Sequence, residues 1–326
     1  MAMISLPKRI ITVRDRRFLF RVEDSDRPSD YKKYEDLRQT VWQFAEDHLA
    51  GTRNLLCENF LHEGSSLFIG VFEEDENGNF TLDDRHLVGF SYGFVGLKDK
   101  SLGFSRPENL WFYSQFLGVR PDRLNYGLGI MIKEFQREVL LGVLQIDTVV
   151  CTYDPLTAVN AYRNIRHFGM EVVEYRVAPY GEYGGRLNRP DVPSDRFFMS
   201  WNLQKEHRPF VPRERVEIFL RSYPRTLEVS YQQVTTEKGQ AVLEVPEGAV
   251  LNFESEFLLV PVPSDFYLML NLTDVEKPEI RKLPVDWRMK TREVFLHYFQ
   301  RGFRVVDFLK TDGEPHQCCY LLMRSG

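Results

Sequence analysis

The sequence predicts an α/β fold built on a mixed, mostly antiparallel central sheet, followed by a smaller C-terminal α/β unit. Three observations predict it. Short apolar strands follow one another through strong turn signals, helical stretches interrupt them without strict alternation, and a charged stretch with two prolines separates two such series.

In order, Arg17–Val22 reads as a first strand, because apolar residues fill it and the polar turn SDRPSD closes it. A helix is expected from about Tyr31 to Asp47, where Tyr34, Leu37, Val41, Phe44 and Ala45 recur at helical spacing. Leu67–Phe72 and Leu87–Val95 are apolar strands. Asn77-Gly78 between them signals a hairpin, since both residues accept the positive φ of a tight turn. The acidic residues of EEDENGNFTLDD there keep a hairpin tip soluble rather than hold a metal. Trp111–Val119 is strand-like and ends at Arg120-Pro121, where a proline interrupts the ladder.

Leu128, Met131, Ile132, Phe135 and Val139 then form one stripe on a helix reaching about Leu144. Ile146–Thr152 is a strand. Asp154-Pro155 opens a helix that runs to Phe168 and stops at Gly169. Two further strands, Val172–Val177 and Phe197–Leu203, flank the long loop PYGEYGGRLNRPDVPSD. The boundary falls in the charged segment 204–214, giving domains 1–204 and 215–326. The second contains strands at Leu227–Val234, Gln240–Glu244 and Glu256–Pro261, a helix from Trp287 to Arg301, and final strands Arg304–Leu309 and Cys319–Met323.

Composition narrows the function. Among 326 residues, 43% are hydrophobic and 13% aromatic, enough for real cores and against global disorder. A net charge of −5 speaks against a nucleic-acid partner held by bulk electrostatics, although arginines gather at Arg120–Arg123 and Arg213–Arg225. No apolar run has membrane-spanning length, and the start MAMISLPKRI lacks a secretory core, so no membrane partner and a cytoplasmic location are expected. Four cysteines form neither a disulfide framework nor zinc spacing, and no metal is expected.

The chemistry concentrates between Trp111 and Gly169. A strand enters the turn Asn125-Tyr126-Gly127-Leu128-Gly129, which opens a helix directly. The first N–H groups of a helix lack internal partners and its N-terminal end is electropositive, so glycines there admit an anionic pyrophosphate to the backbone. A tight turn before a helix explains the same residues.

The order of elements together with this turn resembles the GNAT superfamily of acyl-CoA-dependent N-acyltransferases, and within it a bacterial subgroup of about this length. The resemblance rests on GVRPDRLNYGLGIMIKEFQRE, DPLTAVNAYRNIRHFGM, SDRFFMSWNL and PVDWRMKTREVFLHYFQRGFRVVDF, which occur in the right order over most of the chain. It implies a GNAT fold, acetyl-CoA or another acyl-CoA as co-substrate, and direct attack of an amine on the thioester. Leu117, Gly118 and Val119 match the splayed strand that receives pantetheine. Asn125, Tyr126, Gly127, Leu128, Gly129 and Ile130 match the pyrophosphate turn, and Asn160 and Asn164 the later helix near the thiol.

Two positions depart from the family. Leu124 stands where Arg or Gln is usual, with Arg123 adjacent, and Ile165 stands where a tyrosine often protonates the thiolate, with Tyr162 as substitute. Tyr162 and Asn160 are therefore the catalytic candidates, and Ser114 and Arg196 the candidates for binding the acceptor. Arg196 forks onto a substrate carboxylate or pairs structurally with an aspartate. Lys133, Gln136 and Arg137 match the subgroup or simply form a solvated helix face. In the C-terminal half Tyr298 stands four residues before Gly302, as in a degenerate GNAT-like half; a core aromatic is the plainer reading. Two functions stay open, an N-acyltransferase acting on a small-molecule amine as monomer or homodimer, and a non-catalytic coenzyme A-binding sensor or scaffold.

Overall fold

A computed structural model of the protein describes residues 5–43, 55–313 and 316–325. It contains the expected α/β architecture with a largely antiparallel sheet and a smaller sheet toward the C-terminus. The chain divides into two compact units, residues 1–151 with 202–205, and residues 152–201 with 206–326.

The first unit opens with a strand the sequence reading did not identify, β1 (Lys8–Val13), paired antiparallel with β2 (Arg16–Val22). Alternation in β1 is between exposed and half-buried positions, so its hydrophobic signal is weak. The next helix, α1 (Lys32–Trp42), is shorter than expected and stops at Gln43 in the left-handed conformation; residues 44–47 lie outside the described residues. After a single turn, α2 (Leu55–Glu58), come β3 (Ser66–Glu73) and β4 (Leu87–Leu97), joined by residues 74–86, a longer connection than a tight hairpin, in which Gly78 has φ +80° but Asn77 does not share the positive φ expected of it. β5 (Leu110–Val119), α3 (Leu128–Val139, continued by a wider π turn to Leu144) and β6 (Thr148–Tyr153) follow.

The strands lie in the order β1-β2-β3-β4-β5-β6. The first five pair antiparallel, and β5 with β6 parallel. Every position of β3 is buried because both faces of the sheet are covered. On one face Tyr34 and Leu37 of α1 pack with Phe68, Phe72 and Phe90. On the other the α3 stripe Leu128, Ile132, Phe135 and Val139 is fully buried, and Phe20 meets Phe135 at 6.2 Å between ring centroids. Met131, expected in the same stripe, is only half-buried.

The second unit begins with a one-turn α4 (Ala158–Ala161) that widens into a π turn over Tyr162–His167. The helix thus starts after Thr157 rather than at Pro155, because the Asp154 side chain first accepts from the Leu156 N–H in a local turn. β7 (Glu171–Arg176) and β8 (Arg196–Asn202) pair antiparallel. After α5 (Val216–Ser222) come the hairpin β9 (Leu227–Thr236) and β10 (Gly239–Ala249), then β11 (Phe257–Val262). Three helices follow, α6 (Phe266–Leu272), α7 (Pro278–Arg281) and α8 (Leu283–Gln300), and then β12 (Phe303–Lys310) and β13 (Cys318–Arg324). The small sheet has the order β11-β13-β12 and is antiparallel throughout.

The division between units lies elsewhere than at 204–214, for a visible reason. Residues 152–201 share a core with the C-terminal residues. The Phe197 ring packs against Phe295 at 4.9 Å and Tyr320 at 5.4 Å, and Arg166 donates to Asp307 at 2.8 Å with both side chains buried. A charged, proline-bearing segment marks a surface crossing of the chain, and that need not be a boundary between cores.

Candidate functional site

In the first unit the informative geometry is where β5 leaves β6. Among the described residues the two strands pair only at Phe112–Val149 and Tyr113–Val150, although β5 runs on to Val119 and β6 to Tyr153. Immediately beyond, the β4–β5 register steps between Tyr92–Phe116 and Gly93–Ser114, which makes Gln115 an extra, bulged residue. Gly93 permits this, since a Cβ there would stand 2.4 Å from the Tyr113 carbonyl oxygen.

The backbone past the bulge has a definite direction. Arg120 N–H donates to the Val88 carbonyl at 2.8 Å. Antiparallel pairs alternate between bonded and non-bonded, so Gly118–Phe90 and Phe116–Tyr92 are the bonded pairs. The N–H and C=O groups of Leu117 and Val119 therefore turn away from β4, toward the edge that β6 has vacated. Gly118 differs from its expected role. Its polar groups serve the β4 ladder, and a Cβ on it would lie 2.8 Å from Trp42 and 3.0 Å from Phe90, so its small size serves the packing of α1.

The strand then enters a 3₁₀ turn, Pro121–Tyr126, and Gly127 at φ +71° hands the chain to α3. An L side chain rarely adopts that conformation. The N–H groups of Ile130 and Met131 already bond the Gly127 carbonyl, at 3.0 and 3.4 Å, so the donors of Leu128 and Gly129 are the unsatisfied ones expected at a helix start. Leu128 contributes only backbone, because its side chain is in the core. Tyr126 is wedged by Phe18 at 5.6 Å, with the Arg14 guanidinium 5.1 Å and that of Arg16 5.9 Å from its ring centre, and Arg14 reaches the Asn125 carbonyl at 3.4 Å.

Arg123 is engaged rather than reaching out. It donates to Glu73 and to Asp122, each at 2.8 Å. Arg16 also bonds Glu73, and Arg120 bonds Asp122 at 2.7 Å. Partial burial works to raise the Asp122 pKa, but the Arg120 hydrogen bond and charge hold its carboxyl below the usual range. Arg14 adds a further cation beside the turn, held there by the Asn125 carbonyl and the Tyr126 ring.

Beneath the bulge lies a buried polar chain that includes Lys133 and Gln136, for which a solvated helix face is one of the two readings the sequence offers. Lys133, 3% exposed, donates to Ser114 Oγ at 2.9 Å and to Gln136 Oε1 at 3.2 Å, and Gln136 Nε2 donates to Ser91 Oγ at 2.7 Å. Both helix residues stand one turn apart on the buried face, and their spacing from Ile132 and Phe135 was the available signal. Ser114 thus does not present a free hydroxyl oxygen to an acceptor substrate: it accepts from an ammonium that can only donate. Ser114→Ala removes that acceptor from a buried cation and should cost about 1–3 kcal/mol in urea unfolding. An unchanged midpoint would mean that water reaches the network.

The remaining candidates belong to the second unit, where the structure gives them other partners. Asn160 is held by Thr157 Oγ1 at 3.1 Å and by Arg163 at 2.9 Å. Asn164 is buried and accepts from Arg163 Nε at 3.3 Å, while its carbonyl takes the Met170 N–H at 2.8 Å. Tyr162 does not replace Ile165: it is 42% exposed, whereas Ile165 is 4% exposed. The π turn rotates the two positions onto different faces. Tyr162 opens instead on a 660 Å³ pocket with Arg213, Ile218 and Lys310.

Arg196 follows the structural option. It donates to the Asp195 carbonyl at 2.7 Å and to the Tyr183 hydroxyl, and lies 3.5 Å from Asp154. Asp195 is forked by Arg292 at 2.7 and 2.8 Å. Tyr298 is likewise a core anchor, donating to the Val250 carbonyl at 3.0 Å and accepting from Phe253 N–H at 3.3 Å.

No protein-family model matches the sequence, and no curated protein does. Among solved structures it resembles Arabidopsis thaliana NAA60 in complex with acetyl-CoA, at 13% identity over 57% of this chain and 99% of that one, TM-score 0.41. It resembles mutant forms of the Vibrio cholerae spermidine/spermine N-acetyltransferase SpeG at 11% identity, over 58% and 96%, TM-score 0.39. A Desulfovibrio desulfuricans protein assigned to the GNAT acetyltransferases matches at 13% identity, over 57% and 99%, TM-score 0.38.

Proposed function

We propose that the protein is an acyl-CoA-dependent N-acyltransferase that transfers a short acyl group to the amine of a small molecule. The observation that carries this reading is the divergence of β5 from β6 at a bulge, with the backbone groups of Leu117 and Val119 facing the gap. Extended pantetheine needs such a row of unpaired strand groups, and a strand that keeps its neighbour has none to offer. The same strand delivers the chain to Gly127 and the electropositive start of α3, suited to a pyrophosphate.

In this reading the amine adds to the thioester carbonyl and a backbone N–H beside the gap stabilises the oxyanion. The carbon–sulfur bond then breaks with its electron pair on sulfur. The amine proton passes to solvent, and the thiolate leaves either unprotonated or protonated by water. No tyrosine is required at the position of Ile165.

A second reading, a coenzyme A-binding protein without turnover, is favoured by one observation: the described alternatives to that tyrosine are committed elsewhere, Tyr162 to another face and Tyr298 to a core hydrogen bond. One assay separates the two. With acetyl-CoA and a panel of small amines, thiol release that depends on the amine supports the transferase. Acyl-CoA binding without release across the panel supports the non-catalytic reading, and absence of binding removes both.

A further inference from the structure

The second unit buries an unusual amount of charge behind α8. Arg288 and Arg292 stand one turn apart on the helix and face the chain segments around Asp154 and Asp195. Asp195 is fully used: Arg292 forks both its oxygens, Tyr175 donates to Oδ2 at 2.6 Å and the Ala178 N–H to Oδ1 at 3.0 Å. That pair is neutral and complete.

Asp154 is not so placed. Its Oδ1 is occupied by the Leu156 N–H at 2.9 Å, so only Oδ2 faces the cluster, and it meets two cations, Arg288 and Arg196. One carboxylate thus stands between two buried guanidiniums, leaving one positive charge uncompensated. Arg288 is 0% exposed, and its Nε and Nη1 have no hydrogen-bond partner among the described residues, while the Phe266 ring lies 5.7 Å from its Cζ. Orphaned donors on a fully buried cation are rare, because their desolvation is uncompensated.

Nearby phenols do not supply the missing charge. Burial pushes the hydroxyls of Tyr175, Tyr183 and Tyr267 up, that of Tyr267 to about 12, so all three are neutral near pH 7. They are polar walls rather than counter-ions.

We propose that Arg288, with Arg196 beside it, holds a buried monoanion, either a carboxylate group or an inorganic ion of similar size. A single negative charge balances the cluster, and a dianion would overfill it. The site is independent of the acyl-transfer reading and lies within the second unit alone.

The test uses the intact protein, purified and crystallised once in sodium bromide and once in sodium acetate. Bromide is expected as an anomalous peak within about 3.5 Å of Arg288 Nε or Nη1. Planar density at the same place in acetate, with a larger stabilisation than bromide gives, assigns the site to carboxylates; the reverse order assigns it to a halide. In solution, saturating anion should raise Tm by about 5 °C relative to the same protein at low anion. Arg288→Met, which keeps the volume and leaves Asp154 its Arg196 partner, should abolish that rise. Water alone at Arg288 in both crystals, or an equal rise in Tm for both proteins, overturns the proposal. Should the variant not fold, the wild-type crystals decide it.

Discussion

Acetyl-CoA is expected to raise the melting temperature of the wild-type protein, and Gly127→Val to abolish the rise. A ligand that binds only the folded state stabilises it by mass action, about 2.7 kcal/mol at a hundred times its Kd. Gly127 joins the 3₁₀ turn to α3 at φ +71°, and a Cβ there would find only Met131 Cε, at 4.0 Å. Steric space is therefore not what excludes a side chain. The left-handed backbone costs a non-glycine residue about 1–2 kcal/mol, and a β-branched residue more.

Two effects are thus mixed in the valine variant, strain in the turn and obstruction of the approach to the helix start. Gly127→Asn separates them, because asparagine tolerates the left-handed conformation. It should keep the ligand-free melting temperature within a few degrees and still lose most of the acetyl-CoA shift. If the wild-type protein shows neither a shift nor heat at millimolar acyl-CoA, the turn is an ordinary connection, and the transferase and non-catalytic readings fall together.

Asp307→Ala is expected to destabilise the second unit by about 3–5 kcal/mol, the cost of leaving a buried charge without its partner. Asp307 receives Arg166 and the Val211 N–H at 2.8 Å each on one oxygen, and its own neighbour Phe308 N–H at 2.8 Å on the other. Replacing both ends of the pair, Arg166→Met with Asp307→Leu, should recover most of the loss in urea unfolding, since neither charge then remains. A single variant with an unchanged midpoint would show that the pair is hydrated.

The same geometry predicts that residues 152–201 do not fold in a chain ending at Lys205. It would keep Arg166, Asp195 and Asp154 but lose Asp307, Arg292 and Arg288, together with the aromatic partners of Phe197. Slow amide hydrogen exchange in Phe197–Trp201 of a chain of residues 1–205 would overturn this account of the second unit.

What the sequence by itself determined is what local chemistry encodes. Apolar runs bounded by turn residues located β2 through β8 to within a few positions, and the period of Leu128, Ile132, Phe135 and Val139 located α3 and its buried face. Gly78 and Gly127 were legible because positive φ selects residue type at a single position. β1 was not legible, since its positions alternate only between exposed and half-buried, which leaves the apolar–polar pattern weak.

Tertiary structure alone decided the rest. Whether Lys133 is solvated or buried depends on the sheet opposite it, where Ser114 meets it and Ser91 meets Gln136 only after β4 and β5 pair. Arg123 reaches Glu73 and Asp195 is held by Arg292, partners far along the chain, so a charged side chain in the sequence announces its need for a partner without naming one. The unit boundary followed the same logic. Composition marks where a chain crosses the surface, but which segments share a core is settled by long-range contacts such as Phe197 with Phe295, and by the cost of burying Arg166 anywhere except against Asp307.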